Sequence, residues 1–187
     1  MSVKIGVNTI VDKKTILKGD VIIGDNCNIG PYCVVENTSI GNGVSIIQSN
    51  ISNSFIGDDC QIGPFAHIRN NSRIGKRCRV GNFVEIKNST LGDDVKCAHL
   101  SYIGDSSIGD RTNIGCGVIT ANYDGKEKHH TKIGKDCFIG CNSVLIAPIE
   151  IEDNSFIAAS TTLTKSIEKE TFAISRSELV IKKRKKI

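Results

Sequence analysis

An aliphatic residue returns at nearly every sixth position of this chain, and no other feature limits its fold so sharply. From Ile5 to Leu163, 27 positions keep the spacing and 25 of them are Ile, Val or Leu, the exceptions being Cys97 and Thr120. Of the 26 intervals, twenty are six residues, five are five, and one, from Thr120 to Ile133, is thirteen. Repetition at a fixed period marks an array whose units bury a face only against their neighbours. Fourteen of the eighteen glycines directly follow the aliphatic residue, as in Ile23-Gly24 and Ile139-Gly140. Four places after it comes a second, mostly small residue, such as Cys27, Ala66, Ser101 or Thr112. Positions i+4, i+5, i and i+1 then alternate inward and outward as a short strand, while i+2 and i+3 turn a corner.

Three such strands close a triangular turn, so 27 segments make nine turns of an all-β, hexapeptide-repeat parallel β-helix. Each turn hydrogen-bonds to the next around a thin aliphatic core. Aromatic residues at 5% and the absence of Trp fit that core and disfavour a sandwich or barrel filled with large rings. The helix occupies residues 1–163, with an excursion at 121–132, and the segment 164–187 leaves the repeat as an arm and a basic tail.

Charge and cysteine usage narrow the function classes. The formal charge is +4, but five of the 24 cationic residues form the run Lys182-Lys183-Arg184-Lys185-Lys186, so the body offers no nucleic-acid-binding face. That run is read as a solvated tail. No stretch reaches the roughly 18 apolar residues of a membrane span, and no signal peptide opens the chain, so a cytoplasmic protein is expected. Of the eight cysteines, five take the small inward position, Cys97 replaces an aliphatic residue, and Cys116 and Cys141 fall at i+2. They are read as buried small hydrophobes and two free thiols in a reducing compartment. The four histidines have no close ligand spacing outside the excursion, so no metal is expected.

Every third segment stacks in one column, with rungs about 4.8 Å apart. The column through residues 62, 80, 97, 114, 139 and 157 sets Asn82, His99, Cys116, Cys141 and Ala159 at successive i+2 corners. It sets His67, Glu85 and Tyr102 on consecutive rungs at i+5, and the next strand supplies Arg69 and Lys87, one rung apart and facing outward. The excursion, with Asn122-Tyr123-Asp124-Gly125 and then Lys126, Lys128, His129 and His130, leaves beside the same edge. Arg69 and Lys87 suit a phosphate clamp, because a guanidinium offers paired donors and an ammonium a point charge. Such a pair repels itself without an anion, either Glu85 or a ligand phosphate. His99 is the natural general base, since imidazole exchanges a proton near neutrality.

Residues 62–69 (IGPFAHIR), 80–87 (VGNFVEIK), 98–105 (AHLSYIGD), 113–117 (NIGCG), 121–125 (ANYDG) and 173–176 (AISR) carry a resemblance. Together they closely resemble the acetyltransferase domain of the bacterial bifunctional N-acetylglucosamine-1-phosphate uridyltransferase/glucosamine-1-phosphate N-acetyltransferase. The resemblance implies a left-handed β-helix, an exception to the right-handed crossover rule, assembled as a homotrimer with active sites between subunits. It implies His99 as the base that deprotonates the sugar amine attacking acetyl-CoA. Arg69, Lys87, Tyr102 and Asn113 would hold the amino sugar phosphate, with Lys128 a further phosphate ligand and Glu85 orienting His99 or pairing with Lys87. Cys116, Asn122, Tyr123, Cys141, Ala159 and Arg176 match acetyl-CoA positions, although the family more often has Ala and Ser where Cys116 and Cys141 stand. The arm 164–176 would cross to a neighbouring subunit.

In that family the helix follows an amino-terminal uridyltransferase domain, whereas Met1 here begins essentially at the first coils, so uridyl transfer and its magnesium are not carried over and a separate uridyltransferase could be a partner. The expected function is acetyl-CoA-dependent N-acetylation of glucosamine 1-phosphate, toward UDP-N-acetylglucosamine and the peptidoglycan and lipopolysaccharide of the cell envelope. Two alternatives stand beside it: another free or nucleotide-linked amino sugar as acceptor, and a non-catalytic β-helix scaffold.

Overall fold

In a computed structural model describing residues 2–183, the chain is a left-handed parallel β-helix of about ten turns. It has 26 strands, most only two or three residues long, and no helix among the described residues. Of the basic run, Arg184, Lys185 and Lys186 lie outside the described residues. Nine strands form one face of the triangle and seventeen share the other two. Those two faces merge because Arg79–Lys87 and Lys96–Gly104 run nine residues each, unbroken around a corner.

The repeat explains the core. From Ile23 upward the spaced aliphatic residues are buried and stack rung on rung, while Ile5 at the open end is 49% exposed. Six of the eight cysteines are buried. Several tie adjacent turns, with the Cys60 and Cys78 thiols donating to the Gly75 and Gly92 carbonyls at 3.0 Å. The i+3 corner takes the left-handed backbone region, as at Asn26, Asp59, Arg77 and Phe83 with φ between 53° and 58°. Side chains pay strain there, and Asn and Asp tolerate it best. Glycine at i+1 answers a separate need, close approach: a Cβ on Gly81 would lie 1.8 Å from the Ala98 carbonyl oxygen of the next turn.

The stack runs further than the spacing predicts. Ile167 bridges Ile151, and Phe172–Ala173 pairs with Phe156–Ile157, so the ladder reaches Ala173 beyond the boundary expected at Leu163. The shortened interval between Leu163 and Ile167 hides this continuation in the sequence.

Candidate active site

The corner carried by the two long strands is also where the chemistry gathers. Their register opposes Asn82 to His99 and Glu85 to Tyr102, while His67 opposes Glu85 and Arg69 opposes Lys87 on the rung before. The stacking derived from the repeat is therefore the stacking observed. Both interruptions of the aliphatic repeat flank this corner. Cys97, two residues before His99, is sealed in the core, and burial pushes its thiol up to about 12, which excludes it as a thiolate nucleophile at neutral pH. Thr120 lies beside Tyr102 and Gly104, and its hydroxyl accepts the Gly104 N–H at 2.8 Å.

His99 is exposed, and its Nδ1 lies 2.9 Å from Asn82 Oδ1. An amide oxygen there selects the tautomer with the proton on Nδ1 and leaves Nε2 as the free lone pair, the arrangement a general base needs. Glu85 is elsewhere. Arg69 donates to its Oε1 through Nε at 2.8 Å and approaches the same oxygen through Nη2 at 2.7 Å. The expectation that Glu85 orients His99 or pairs with Lys87 is thus corrected, because it lies diagonally across from Arg69 and not opposite His99. Asn82 takes the place beside His99 and Asp105 the place beside Lys87.

Lys87 also departs from expectation. Its side chain points away from the core, yet the residue is only 7% exposed, because the excursion returns over it. Its ammonium lies 3.1 Å from Asp105 Oδ2. Asp105 further accepts hydrogen bonds from the side-chain amides of Asn88, at 2.5 Å, and Asn122. Burial by itself would raise the Asp105 pKa, but the bonds from Asn88, Lys87 and Asn122 outweigh it and hold the carboxyl below its ordinary value. For Lys87 burial opposes the charge, while the Asp105 carboxylate favours it and leaves its pKa above the ordinary lysine value. Lys128 carries the cost: the neighbouring Lys87 lowers its pKa, with Arg69 adding to the effect. Three cations thus face two carboxylates, and the cluster has an unmet demand for an anion.

The remaining candidates divide. Tyr102 folds its ring over Gly104, so that a Cβ there would lie 2.5 Å from the phenol oxygen. A groove lined by Phe83, Glu85, Leu100, Tyr102 and Ile119 opens beside it. Cys116 and Cys141 follow His99 up the corner column, with Asn142 N–H donating to the Cys116 carbonyl at 2.7 Å. Cys116 is half-buried, while Cys141 and Ala159 are exposed. Arg176 reaches the top of the column, where it donates to the Ala159 carbonyl at 3.3 Å. The Asn122 side chain is turned in to Asp105, whereas Tyr123 is 61% exposed. Asn113 is not brought to the cluster within this chain, since it pairs with Lys96 and Phe138 on the strand before the corner.

The excursion is a small hairpin. Tyr123 and Lys128 form an antiparallel bridge, and Asp124 accepts the backbone N–H groups of Lys126 and Glu127 at 2.8 Å each. His129 Nε2 lies 2.7 Å from the Asp124 carboxylate. That contact, before the two backbone bonds, holds the Asp124 carboxyl well below the usual range.

The architecture is that of a hexapeptide-repeat solenoid, with a cation-rich corner beside a tautomer-selected histidine. The chain belongs to the family described as bacterial transferase hexapeptide (six repeats), which matches residues 2–37, 53–88 and 130–165. Among curated relatives, a bifunctional protein GlmU of Staphylococcus haemolyticus is 47% identical over 180 residues, and one of Synechococcus elongatus is equally similar. Each alignment covers 96% of this chain and 40% of the relative, so the chain spans well under half of the proteins it matches. Among solved structures, the UDP-N-acetylglucosamine acyltransferase of Campylobacter jejuni superposes with a TM-score of 0.80 at 17% identity, covering 87% of this chain and 70% of the other. At that identity the likeness speaks for the fold alone.

Proposed function

We propose that the chain transfers the acetyl group of acetyl-CoA to the amino group of glucosamine 1-phosphate. The observation that carries this reading is the set of three cations over two carboxylates, one corner away from His99. A monoanionic or dianionic phosphate at Arg69, Lys87 and Lys128 would balance the cluster and orient the sugar. His99 Nε2 takes a proton from the sugar amine as its nitrogen attacks the thioester carbonyl carbon. The carbon–sulfur bond then breaks, and the coenzyme A thiolate recovers the proton. Holding both substrates in one frame supplies much of the acceleration. The column of Cys116, Cys141 and Ala159 supports an extended pantetheine arm, with Arg176 at its far end to meet a coenzyme phosphate. Small side chains along it favour that reading, although Cys in place of a hydroxyl offers a weaker hydrogen bond. Asn113 is not brought to the cluster within one chain, so its part in the site calls for a neighbouring subunit, as in the homotrimer that the resemblance implies.

The test is release of coenzyme A with glucosamine 1-phosphate as acceptor, corrected for the protein's own thiols. His99→Ala should lower kcat by roughly 10²- to 10⁴-fold with assembly unchanged. Near-normal turnover by that variant would remove His99 from the role. A higher kcat/KM with galactosamine 1-phosphate or a nucleotide-linked amino sugar would move the acceptor assignment.

A further inference from the structure

Asp105 occupies a corner that on the four preceding rungs of its column belongs to asparagine. Asn37, Asn53 and Asn88 hold the equivalent left-handed positions at φ 44°, 45° and 47°, and Asp105 continues the series at 48°. Lower in the column the amides serve one another, Asn37 Nδ2 donating to Asn53 Oδ1 at 3.4 Å. The turn itself is content with an amide, and a buried carboxylate is costly unless its partners are excellent. Asp105, 8% exposed, has such partners, and two of the three belong to the candidate site. Lys87 is one. Asn122, the first residue of the Asn-Tyr-Asp-Gly turn, is the other. The backbone carbonyl of Asp105 also accepts the N–H of Thr131, at 3.2 Å, where the excursion returns. A single residue therefore ties the clamp lysine, the entrance of the excursion and its exit.

We propose that Asp105 is the positioning residue of the acceptor site: its carboxylate holds Lys87 in place and pins the excursion so that Lys128 overhangs Lys87. The two ammonium groups can then close on a phosphate from opposite sides. This inference rests on the reading of the cluster as the acceptor's phosphate clamp. The charged and titratable groups around Lys87 are Arg69, Glu85, Tyr102, Asp105 and Lys128. Removing only the Asp105 charge leaves Lys87 and Lys128 opposed without their counter-ion, so a proton leaves the pair more easily as pH rises.

Asp105→Asn preserves the shape and the left-handed corner. Its acceptor KM is expected to rise about tenfold at neutral pH, the loss of one charge-assisted contact, with the acetyl-CoA KM within about twofold. The alkaline limb of kcat/KM for glucosamine 1-phosphate should move to lower pH, while the KM for unphosphorylated glucosamine stays put. An acceptor KM and alkaline limb both unchanged would overturn the proposal, and so would a rise in both substrates' KM values with no movement of that limb. Lys87→Ala, measured in parallel, separates the two levels. An unaltered acceptor KM in Lys87→Ala sinks the clamp itself, whereas a response to Lys87→Ala without one to Asp105→Asn sinks only the positioning role. Should Asp105→Asn fail to fold, Asn122→Ala cuts the excursion tie alone, and a rise of at least threefold in acceptor KM is expected; no rise overturns the proposal.

Discussion

Arg77–Asp94 and Lys87–Asp105 both join adjacent turns of the helix, and by geometry alone the first pair looks the stronger. Arg77 grips Asp94 with two parallel bonds of 2.8 and 2.7 Å, and Arg111 repeats the grip on Asp136 at 2.6 Å twice. Lys87 makes a single contact with Asp105 at 3.1 Å. Environment reverses the ranking. The side chains of Arg77 and Asp94 are 51% and 38% exposed, whereas those of Lys87 and Asp105 are 9% and 11% exposed. Water and salt screen the first pair, and its long side chains lose rotamer freedom in forming it. The second pair has lost most of its water, so each member depends on the other. The same repeat yields a solvated ladder on one corner and a buried lock on another, and the difference is the excursion that covers one of them.

The sharpest way to break this comparison is to remove one member of the buried pair. Lys87→Ala leaves Asp105 buried with amide donors only, and a loss of about 3 kcal/mol is expected, roughly 6–12 °C in Tm for a chain of this size. The fold holds the Asp105 pKa below its unfolded value, so this contribution is present above the ordinary carboxylate range and is lost as pH falls through the folded pKa. Thermal melts of parent and variant should therefore differ at pH 7 and converge in acid. Equal Tm values at pH 7 would rank Lys87 with the solvated pairs.

A smaller change tests the rung beside the lock. Gly104 opposes Lys87 in the ladder and carries the Tyr102 ring across its Cα. Gly104→Ala displaces the tip of that ring without filling the core, because the clash is with the mobile end of the side chain. The stack should survive, with acceptor KM raised several-fold and acetyl-CoA KM little changed. Loss of assembly would show that Tyr102 supports the turn more than the substrate.

Most of the fold, and the stacking of the candidate residues along one edge, were legible in the spacing. Spacing of six set the core residues and the register, and with them the stacking of Arg69 on Lys87 and of Asn82 on His99. Asp105 was not legible, because Ile103-Gly104-Asp105 reads like Leu91-Gly92-Asp93 or Ile108-Gly109-Asp110, ordinary corners of the repeat. What distinguishes it is a chain segment returning from seventeen residues away, through Asn122. Strand parity likewise pointed Lys87 outward correctly and said nothing of what would cover it. The choice of Glu85 between partners failed for a related reason: alternation assigns a face, while diagonal reach along the strand edge decides which cation meets the carboxylate.

The smallest effect is expected at the other pair. Arg77→Ala removes both bonds to Asp94 and the 3.8 Å approach to Asp93, yet every group involved keeps its access to water. Asp94 loses the partner that lowers its pKa, and its carboxyl should move back toward the ordinary value. Because Asp94 contributes only above its unfolded pKa, any loss of stability should appear at neutral pH and fade as pH falls. Added salt should shrink it further, since it already screens the pair in the parent. Melts of Arg77→Ala and the parent, run at low and high salt beside Lys87→Ala, give the contrast directly. A Tm loss for Arg77→Ala as large as that for Lys87→Ala, and unchanged by salt, would mean that geometry and not burial ranks the ion pairs of this helix.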